Sequence, residues 1–190
     1  MTRHWTTVSS RTVLSDRWID VRADSCRTAS GVPVEPYYVL SYPDWVHVVA
    51  LTAEDEIVLV RQYRHAVAET VLEVPGGAVD ASDADLAQAA RRELVEETGF
   101  DADEFQAVST LYPNPAIQTN RVHVFLARNA RRCGEQRLDL GEEGMEALTI
   151  PVGDVVGRLA DGLLGQSMHA AAVTMALMAA GRLKFVPDAG

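Results

Sequence analysis

The segment from Asp83 to Gly99 constrains the fold more than any other part of the chain, because its apolar residues repeat with the period of an α-helix. This apolar stripe is formed by Leu86, Ala89, Ala90, Leu94 and Val95. Ser82 or Asp83 is suited to cap the start of the helix, and Gly99 stands where a C-cap glycine belongs. We therefore predict a helix over residues 83–98.

Three glutamates stand on this helix at positions i, i+3 and i+4, so their carboxylates project from one side; they are Glu93, Glu96 and Glu97. Such carboxylates repel one another, and a divalent cation would remove the repulsion. A solvated helix face is the alternative interpretation. Arg92 is placed to orient a glutamate, and the diglycine 76–77 would let the backbone approach a phosphate or a metal closely.

Runs of β-prone residues surround this helix. Before it, residues 18–27 and 30–40 predict an N-terminal hairpin, and residues 45–52, 56–64 and 70–77 predict further strands. After it we predict a strand at 121–128, a mobile polar loop at 131–144, and helices at 152–164 and 166–180. This order predicts an α+β domain over residues 45–190, with a mixed β-sheet between helices, and a small N-terminal antiparallel β appendage over residues 1–44.

The charge of the chain limits its partners. A formal net charge of −10 argues against nucleic-acid binding, but bound cations would still let an acidic protein take a small phosphorylated substrate. No stretch approaches the roughly 20 apolar residues of a membrane helix. The N-terminus lacks the apolar run of a secretory signal and Cys26 and Cys133 fit a reducing compartment, so we expect a cytoplasmic protein without membrane contacts.

Residues 92–100, RELVEETGF, resemble the second half of the Nudix hydrolase motif, which reads Arg-Glu-apolar-any-Glu-Glu-any-Gly-apolar. Gly77 matches the first glycine of that motif. The loop between these two parts departs from the family pattern. Asp83 stands where the family has Glu, and eight residues rather than seven separate it from Arg92.

This resemblance implies a metal site and its ligands. Glu93, Glu96 and Glu97 would coordinate Mg²⁺, with Mn²⁺ as the alternative, and the Gly76 carbonyl would contribute a further ligand. Glu93 and Glu97 would thereby be catalytic, and Arg92 would be an orienting residue. The bound metal would bridge diphosphate oxygens and lower the pKa of an attacking water, so that two monophosphates are released.

Residues 15–180 are similar to the ADP-ribose and nucleoside diphosphate sugar pyrophosphatases within that family. The runs VRQYRHAV and LEVPGG place Arg64 and Glu73 near the substrate in this group. An exposed ion pair is the alternative for Arg64, whereas Glu73 lies in an apolar strand and needs a partner or a role. Pro115 lies about where members acting on ADP-sugars carry a proline. Residues 119–121 are Thr-Asn-Arg where many ADP-ribose enzymes are acidic, which leaves room for a GDP-hexose.

Residues 141–148, GEEGMEAL, are similar to a late loop of this group whose glutamate acts as base or closes over the metals. Glu143 matches that glutamate best, Glu142 and Glu146 are alternatives, and a solvated acidic loop is the other interpretation. The group commonly exchanges its N-terminal β segment between two subunits, so residues 12–41 lead us to expect a homodimer.

Taken together, the resemblance implies an enzyme that hydrolyses the diphosphate of a nucleoside diphosphate sugar, such as ADP-ribose, with a metal. One alternative is a Nudix hydrolase of nucleoside triphosphates or dinucleoside polyphosphates, but those enzymes often lack the N-terminal hairpin. The other is a non-catalytic nucleotide-binding regulator. Such regulators usually lose the motif glutamates, whereas this chain keeps all of them.

Overall fold

The computed structural model describes residues 4–184, which divide into two units. Residues 4–44 and Tyr112–Arg121 form the N-terminal unit, and residues 45–111 and 122–184 form the central unit. The segment 112–121 therefore groups with the N-terminal residues, although we assigned it to the larger domain from the sequence. No helix among the described residues has the length and apolar character needed to cross a membrane.

The N-terminal unit is a three-stranded antiparallel sheet. Its strands are β1 (Thr6–Ser15), β2 (Asp20–Arg27) and β3 (Pro33–Ser41), in the order β1-β2-β3. The hairpin of β2 and β3 matches the sequence prediction, but β1 was missed because every one of its residues is exposed and no apolar face marks it. The segment 112–121 joins β3, where the Leu40 amide donates to the Ile117 carbonyl at 2.7 Å.

The central unit is built on an eight-stranded sheet. Its strands are β4 (Trp45–Thr52), β5 (Glu56–Arg64), β6 (Glu69–Glu73), β7 (Gly76–Ala78), β8 (Phe100–Asp101), β9 (Glu104–Leu111), β10 (Val122–Arg132) and β11 (Glu146–Pro151). Five of them follow the order β11-β5-β4-β10-β8, while β6 pairs with β5, β7 with β4 and β9 with β10. The pair β4 and β10 is parallel and the other pairs are antiparallel, so the sheet is mixed.

Three helices pack on this sheet, namely α1 (Leu86–Thr98), α2 (Val152–Arg158) and α3 (Ser167–Ala179). Helix α1 begins three residues later than predicted, and its cap is neither Ser82 nor Asp83. Asp85 is the cap and accepts from the Gln88 amide at 2.8 Å, because Asp83 is bound elsewhere. Gly99 ends α1 with φ +70°, as predicted. The second helix ends at Arg158 rather than at residue 164, since the chain then turns through Gly162 at φ +76°.

Alternate residues of β4 face opposite sides of the sheet, as the pleat of a strand requires. Residues on one side pack against α1 and those on the other against α2 and α3. The α1 side buries Val46, Val48, Ala50, Ala89, Ala90 and Leu94. The α3 side buries Val49, Leu51, Val155, Val173 and Leu177. The predicted mixed sheet between helices is therefore confirmed.

Candidate active site

The diglycine 76–77 before α1 lies in close contact with the backbone of β4 and with the Glu93 side chain. Strand β7 pairs with β4 so that Gly76 is opposite His47. A Cβ atom on Gly76 would lie 2.1 Å from the Val46 carbonyl oxygen, and one on Gly77 would lie 2.7 Å from Glu93 Oε1. Gly76 therefore needs glycine, because a side chain there would push β7 away from β4, whereas a side chain on Gly77 would displace the Glu93 carboxylate.

Glu97 reaches from α1 to this diglycine. Its carboxylate Oε2 accepts a hydrogen bond from the Gly76 amide at 2.8 Å, and the residue is only 4% exposed. Burial raises the pKa of Glu97 well above its ordinary value; the Gly76 bond opposes that shift, and the charges of Glu93 and Glu142 add to it. The ionised form of Glu97 is therefore disfavoured in the metal-free site.

Arg92 contacts the other two motif glutamates. Its Nη1 lies 2.8 Å from Glu93 Oε1 and 3.4 Å from Glu96 Oε2. Glu93 is 7% exposed, and burial raises its pKa to about 6 although the neighbouring guanidinium opposes the shift. Arg92 is therefore in contact with both glutamates. Its role as an orienting residue stays a prediction.

Asp83 is the partner of Arg92 that the sequence analysis missed. Its carboxylate receives two hydrogen bonds, from Nε at 3.0 Å and from Nη2 at 2.8 Å, and only 3% of its side chain is exposed. These bonds hold the pKa of Asp83 below its ordinary value. The shorter Asp side chain and the one extra residue before Arg92 offset each other, so the variant loop still delivers a carboxylate. The sequence signal for this ion pair is the combination of two departures from the motif, an Asp in place of Glu and one extra residue before Arg92.

Among residues 4–184, no three acidic, histidine or cysteine side chains form a ready-made metal cage. The Glu93 and Glu96 carboxylates instead contact Arg92. The donors nevertheless fit a hard divalent cation. Buried carboxylate oxygens with unneutralised charge lie beside a backbone that only glycine allows, and oxygen ligands are those that Mg²⁺ prefers.

The segment after β10 is tied to the C-terminal end of α1. The amides of Cys133 and Arg137 each donate at 2.8 Å, to the carbonyls of Gly99 and Glu96 respectively. Gln136 Nε2 donates to the Glu97 carbonyl at 2.6 Å and to the Met145 carbonyl at 3.3 Å. The polar loop expected at 131–144 is therefore anchored at both ends, and β10 itself extends to residue 132.

Three glutamates follow on this segment. Glu142 ends a short 3₁₀ turn, and its charge raises the pKa of both Glu93 and Glu97. Glu143 is exposed. Glu146 is also exposed and lies 3.2 Å from Arg61. Of these three glutamates, Glu142 is therefore the one whose charge affects the motif glutamates. A base role for Glu143 stays a prediction.

Arg64 and Glu73 are brought together, as a pair. Arg64 Nη2 lies 2.6 Å from Glu73 Oε2, and its Nε donates to both carboxylate oxygens at 3.2 Å. Glu73 is 2% exposed, so Arg64 supplies the partner that a buried carboxylate requires. The Arg64 side chain remains 45% exposed. Contact of either residue with substrate stays a prediction.

Pro115 lies in the other unit. It is exposed within Tyr112–Arg121, next to Ala116, whose carbonyl accepts from the Tyr37 hydroxyl. The loop that carries it is thereby fixed to β3. Its contact with a substrate stays a prediction.

A family model described as NUDIX domain matches residues 42–166, which is more than half of the chain. The chain belongs to the Nudix family. It is a Nudix pyrophosphohydrolase, and Nudix hydrolases generally depend on a divalent metal. The resemblance read from residues 92–100 is confirmed. A second model, described as Nucleoside diphosphate sugar hydrolase N-terminal domain, matches residues 5–40 of this Nudix protein.

Curated relatives and solved structures agree with this assignment. The Nudix protein is 27% identical over 150 residues to an ADP-ribose pyrophosphatase of Bacillus subtilis (strain 168), covering 79% of this chain and 80% of the relative. It is 28% identical over 167 residues to an ADP-ribose pyrophosphatase of Mycobacterium tuberculosis (strain ATCC 25618 / H37Rv), covering 88% and 80%. A crystal structure of an ADP compounds hydrolase shares the fold, with a TM-score of 0.81, 21% identity, and coverage of 94% of this chain and 97% of that one.

Proposed function

We propose that this Nudix hydrolase cleaves the diphosphate of a nucleoside diphosphate sugar into two monophosphates, with ADP-ribose as the first candidate. The match of residues 5–40 to the N-terminal domain of nucleoside diphosphate sugar hydrolases carries this proposal. The relatives named ADP-ribose pyrophosphatase support ADP-ribose as the first compound to test. Residues 119–121, which lack the acidic residue of many ADP-ribose enzymes, keep a GDP-hexose among the candidates.

In this proposal the metal ligands are Glu93, Glu96, Glu97 and the Gly76 carbonyl, and the metal is Mg²⁺ or Mn²⁺. The cation, when bound, supplies positive charge to the diphosphate and acidifies the attacking water. Glu97 holds the Gly76 backbone through its amide, and Arg92 orients Glu93 and Glu96. The raised pKa of Glu97 supports the assignment, because a cation would remove the repulsion that contributes to it.

Substrate contacts are assigned to Arg64 and Pro115, with Glu73 acting through Arg64. The guanidinium of Arg64 is held by the Glu73 carboxylate and is half-exposed, so it is able to offer positive charge to a phosphate. Glu73 is too deeply buried to meet a substrate unless the site rearranges. We therefore propose that it orients Arg64.

A carboxylate of residues 142–146 is proposed as the general base that accepts a proton from the attacking water. The family resemblance favours Glu143, whereas the coupling of Glu142 to Glu93 and Glu97 favours Glu142. The anchoring of this segment on α1 supports either choice, because it keeps the base close to the motif helix.

We also propose a homodimer that exchanges the N-terminal β segment, in the cytoplasm. Strand β1 supports this, because Val8, Val13 and Leu14 are all exposed along it and a second subunit would cover them. Both cysteines, Cys26 and Cys133, are free thiols, as suits a reducing compartment. Monomeric elution at micromolar concentration in light scattering would contradict the dimer.

The deciding experiment is a phosphatase-coupled assay of phosphate release with and without Mg²⁺. The compounds are ADP-ribose, ADP-glucose, GDP-mannose, UDP-glucose, diadenosine polyphosphate and nucleoside triphosphates. We expect metal-dependent turnover of one sugar nucleotide, lowered at least about a hundredfold in Glu97→Gln as loss of a metal ligand predicts. Glu104→Gln, an exposed residue of β9, is the matched control.

The other outcomes lead to different assignments. Turnover of triphosphates or diadenosine polyphosphate alone would replace the sugar nucleotide by another Nudix substrate. Absence of turnover with every compound and either metal would indicate a nucleotide-binding regulator instead.

A further inference from the structure

Two imidazoles are stacked in the interior on the α3 side of the sheet. The rings of His47, on β4, and His169, on α3, have centroids 4.2 Å apart and planes inclined by 18°. They are 5% and 3% exposed, and no hydrogen-bond partner meets His47 Nδ1 among the described residues. Burying two polar rings in an otherwise aliphatic cluster is unfavourable unless they make specific contacts.

His169 makes such a contact with the backbone. Its Nδ1 accepts a hydrogen bond from the Val74 amide at 3.2 Å, across 95 residues of sequence and with both groups buried. The ring is neutral, because burial and the nearby Arg64 charge lower its pKa to about 3. Nδ1 is therefore unprotonated and Nε2 carries the hydrogen. Nε2 lies 3.8 Å from Glu73 Oε1, which is an electrostatic contact too long for a hydrogen bond.

The contact to Val74 completes a series of contacts along residues 73–76. The Glu73 carboxylate is held by Arg64, and the Pro75 carbonyl accepts from the Val48 amide at 2.9 Å. The Gly76 amide donates to Glu97 at 2.8 Å. Each residue that leads into the diglycine is thus fixed by a different element. His169 is the contribution of α3, from the side of the sheet opposite the carboxylates.

We propose that His169 is a positioning residue that fixes residues 74–76 through the Val74 amide and so sets the place of the Gly76 backbone. His47 supports the ring of His169 by stacking against it. The inference rests on the proposed role of Gly76 as a metal ligand, and it assigns a task in metal binding to a helix that carries none of the ligands.

The test compares two substitutions that differ in one acceptor. His169→Asn keeps an oxygen at the place of Nδ1, whereas His169→Leu leaves the Val74 amide without an acceptor. We expect the dissociation constant for Mn²⁺, measured by electron paramagnetic resonance, to rise at least about tenfold in the Leu variant. In the Asn variant it should stay within about threefold of the wild-type value, and kcat should follow the same order while KM changes little.

Thr174→Val is the structural control, because it removes a hydrogen bond within α3, from Thr174 Oγ1 to the Ala170 carbonyl, without a link to residues 73–76. It should lower the melting temperature and leave Mn²⁺ binding unchanged. Equal Mn²⁺ affinity of the Leu variant and the wild type would overturn the inference, as would equal losses in both His169 variants. Absence of Mn²⁺ binding by the wild type would instead contradict the proposed function.

A measurement on the wild type keeps the inference testable if His169→Leu does not fold. Nitrogen-15 chemical shifts should show an unprotonated Nδ1 at His169 and a protonated Nε2. A through-hydrogen-bond coupling should connect that Nδ1 to the Val74 amide nitrogen. A proton on Nδ1 would overturn the inference, because the ring would then be unable to accept from the backbone.

Discussion

The two faces of the eight-stranded sheet are made from the same strands, but their buried polar groups differ in how far their charge is compensated. On the α1 face, Glu93 and Glu97 are buried with raised pKa values, so charge is left without full compensation. On the α3 face, Glu73 is paired with Arg64, and the pKa values of His47 and His169 are lowered to about 3, which leaves both rings neutral.

This difference separates a reactive surface from a supporting one. Uncompensated carboxylates destabilise the metal-free protein and are retained where a cation is to be bound. Paired or neutral groups on the other face hold backbone in place without attracting ions. Under the proposed function, the same sheet thus separates the carboxylates that bind the metal from the contacts that position the backbone.

The largest effect should come from the loop beside the α1 face. Glu142→Gln keeps an acceptor for the Asp139 amide but removes one of the two candidate bases, and with Glu142 as the base we expect kcat to fall about 10²- to 10⁴-fold. Glu146→Gln should change kcat by less than about threefold, because its pair with Arg61 is exposed. Steady-state kinetics on the substrate identified above makes the comparison.

Glu143→Gln sharpens that result. If this variant loses the activity and Glu142→Gln keeps it, the family resemblance identifies the base and the loop has to rotate before reaction. If Glu142→Gln, Glu143→Gln and Glu146→Gln all stay active, no base on this loop acts in the reaction.

A stability measurement tests the supporting face. Arg64→Met leaves the Glu73 carboxylate buried without a partner, and we expect the free energy of unfolding to fall by roughly 2–3 kcal/mol, reduced from a fully buried pair because Arg64 is half-exposed. The double variant with Glu73→Gln should recover most of that loss. Urea denaturation gives both values, and a single variant as stable as the wild type would show that the pair is not needed.

The pH dependence of stability tests the charge on the α1 face. The pKa of Glu93 is raised from 4.5 to about 6 in the folded protein, so the stabilisation by its bound proton is present below pH 4.5 and is lost as the pH rises through 6. Relative to Glu93→Gln, the metal-free wild type should therefore lose roughly 2 kcal/mol between pH 4.5 and 7. Denaturation in EDTA at both pH values measures this, and a constant difference would contradict it.

The smallest effect concerns two aspartates that pair with arginines, one with a buried carboxylate and one exposed. Asp83→Asn should lower the free energy of unfolding by about 1–2 kcal/mol, because its buried carboxylate holds Arg92 with two hydrogen bonds. Asp103→Asn breaks an exposed pair with Arg131 and should leave the free energy of unfolding unchanged, because solvent screens that pair. Equal losses would mean that burial does not distinguish the two pairs.

The residue pattern of the sequence was enough to predict those features that depend on residues close together in the chain. The helix with Glu93, Glu96 and Glu97, its end at Gly99 and the close approach at the diglycine follow from spacing and steric size. Strand β1 was missed because it has no buried face, and β9 and β11 were missed because none of their residues is fully buried.

Contacts between distant residues were beyond the reach of the pattern. Asp83 was assigned a helix cap from its position, but its bond to Arg92 leaves that task to Asp85. His169 was given no role from the sequence, because nothing near it in the chain indicates that it meets Val74. Gln136 likewise gains its role only when the chain returns to α1.

The parallel pairing of β4 with β10 also shapes how the chain reaches its native state. Residues 53–121 lie between these two central strands, so their pairing has to close a long loop. The backbone hydrogen bonds of helix α1 join near neighbours and form quickly, whereas pairings of this sequence separation are slow. We therefore expect the helix that carries the motif glutamates to be formed before the strand that completes the sheet beneath it.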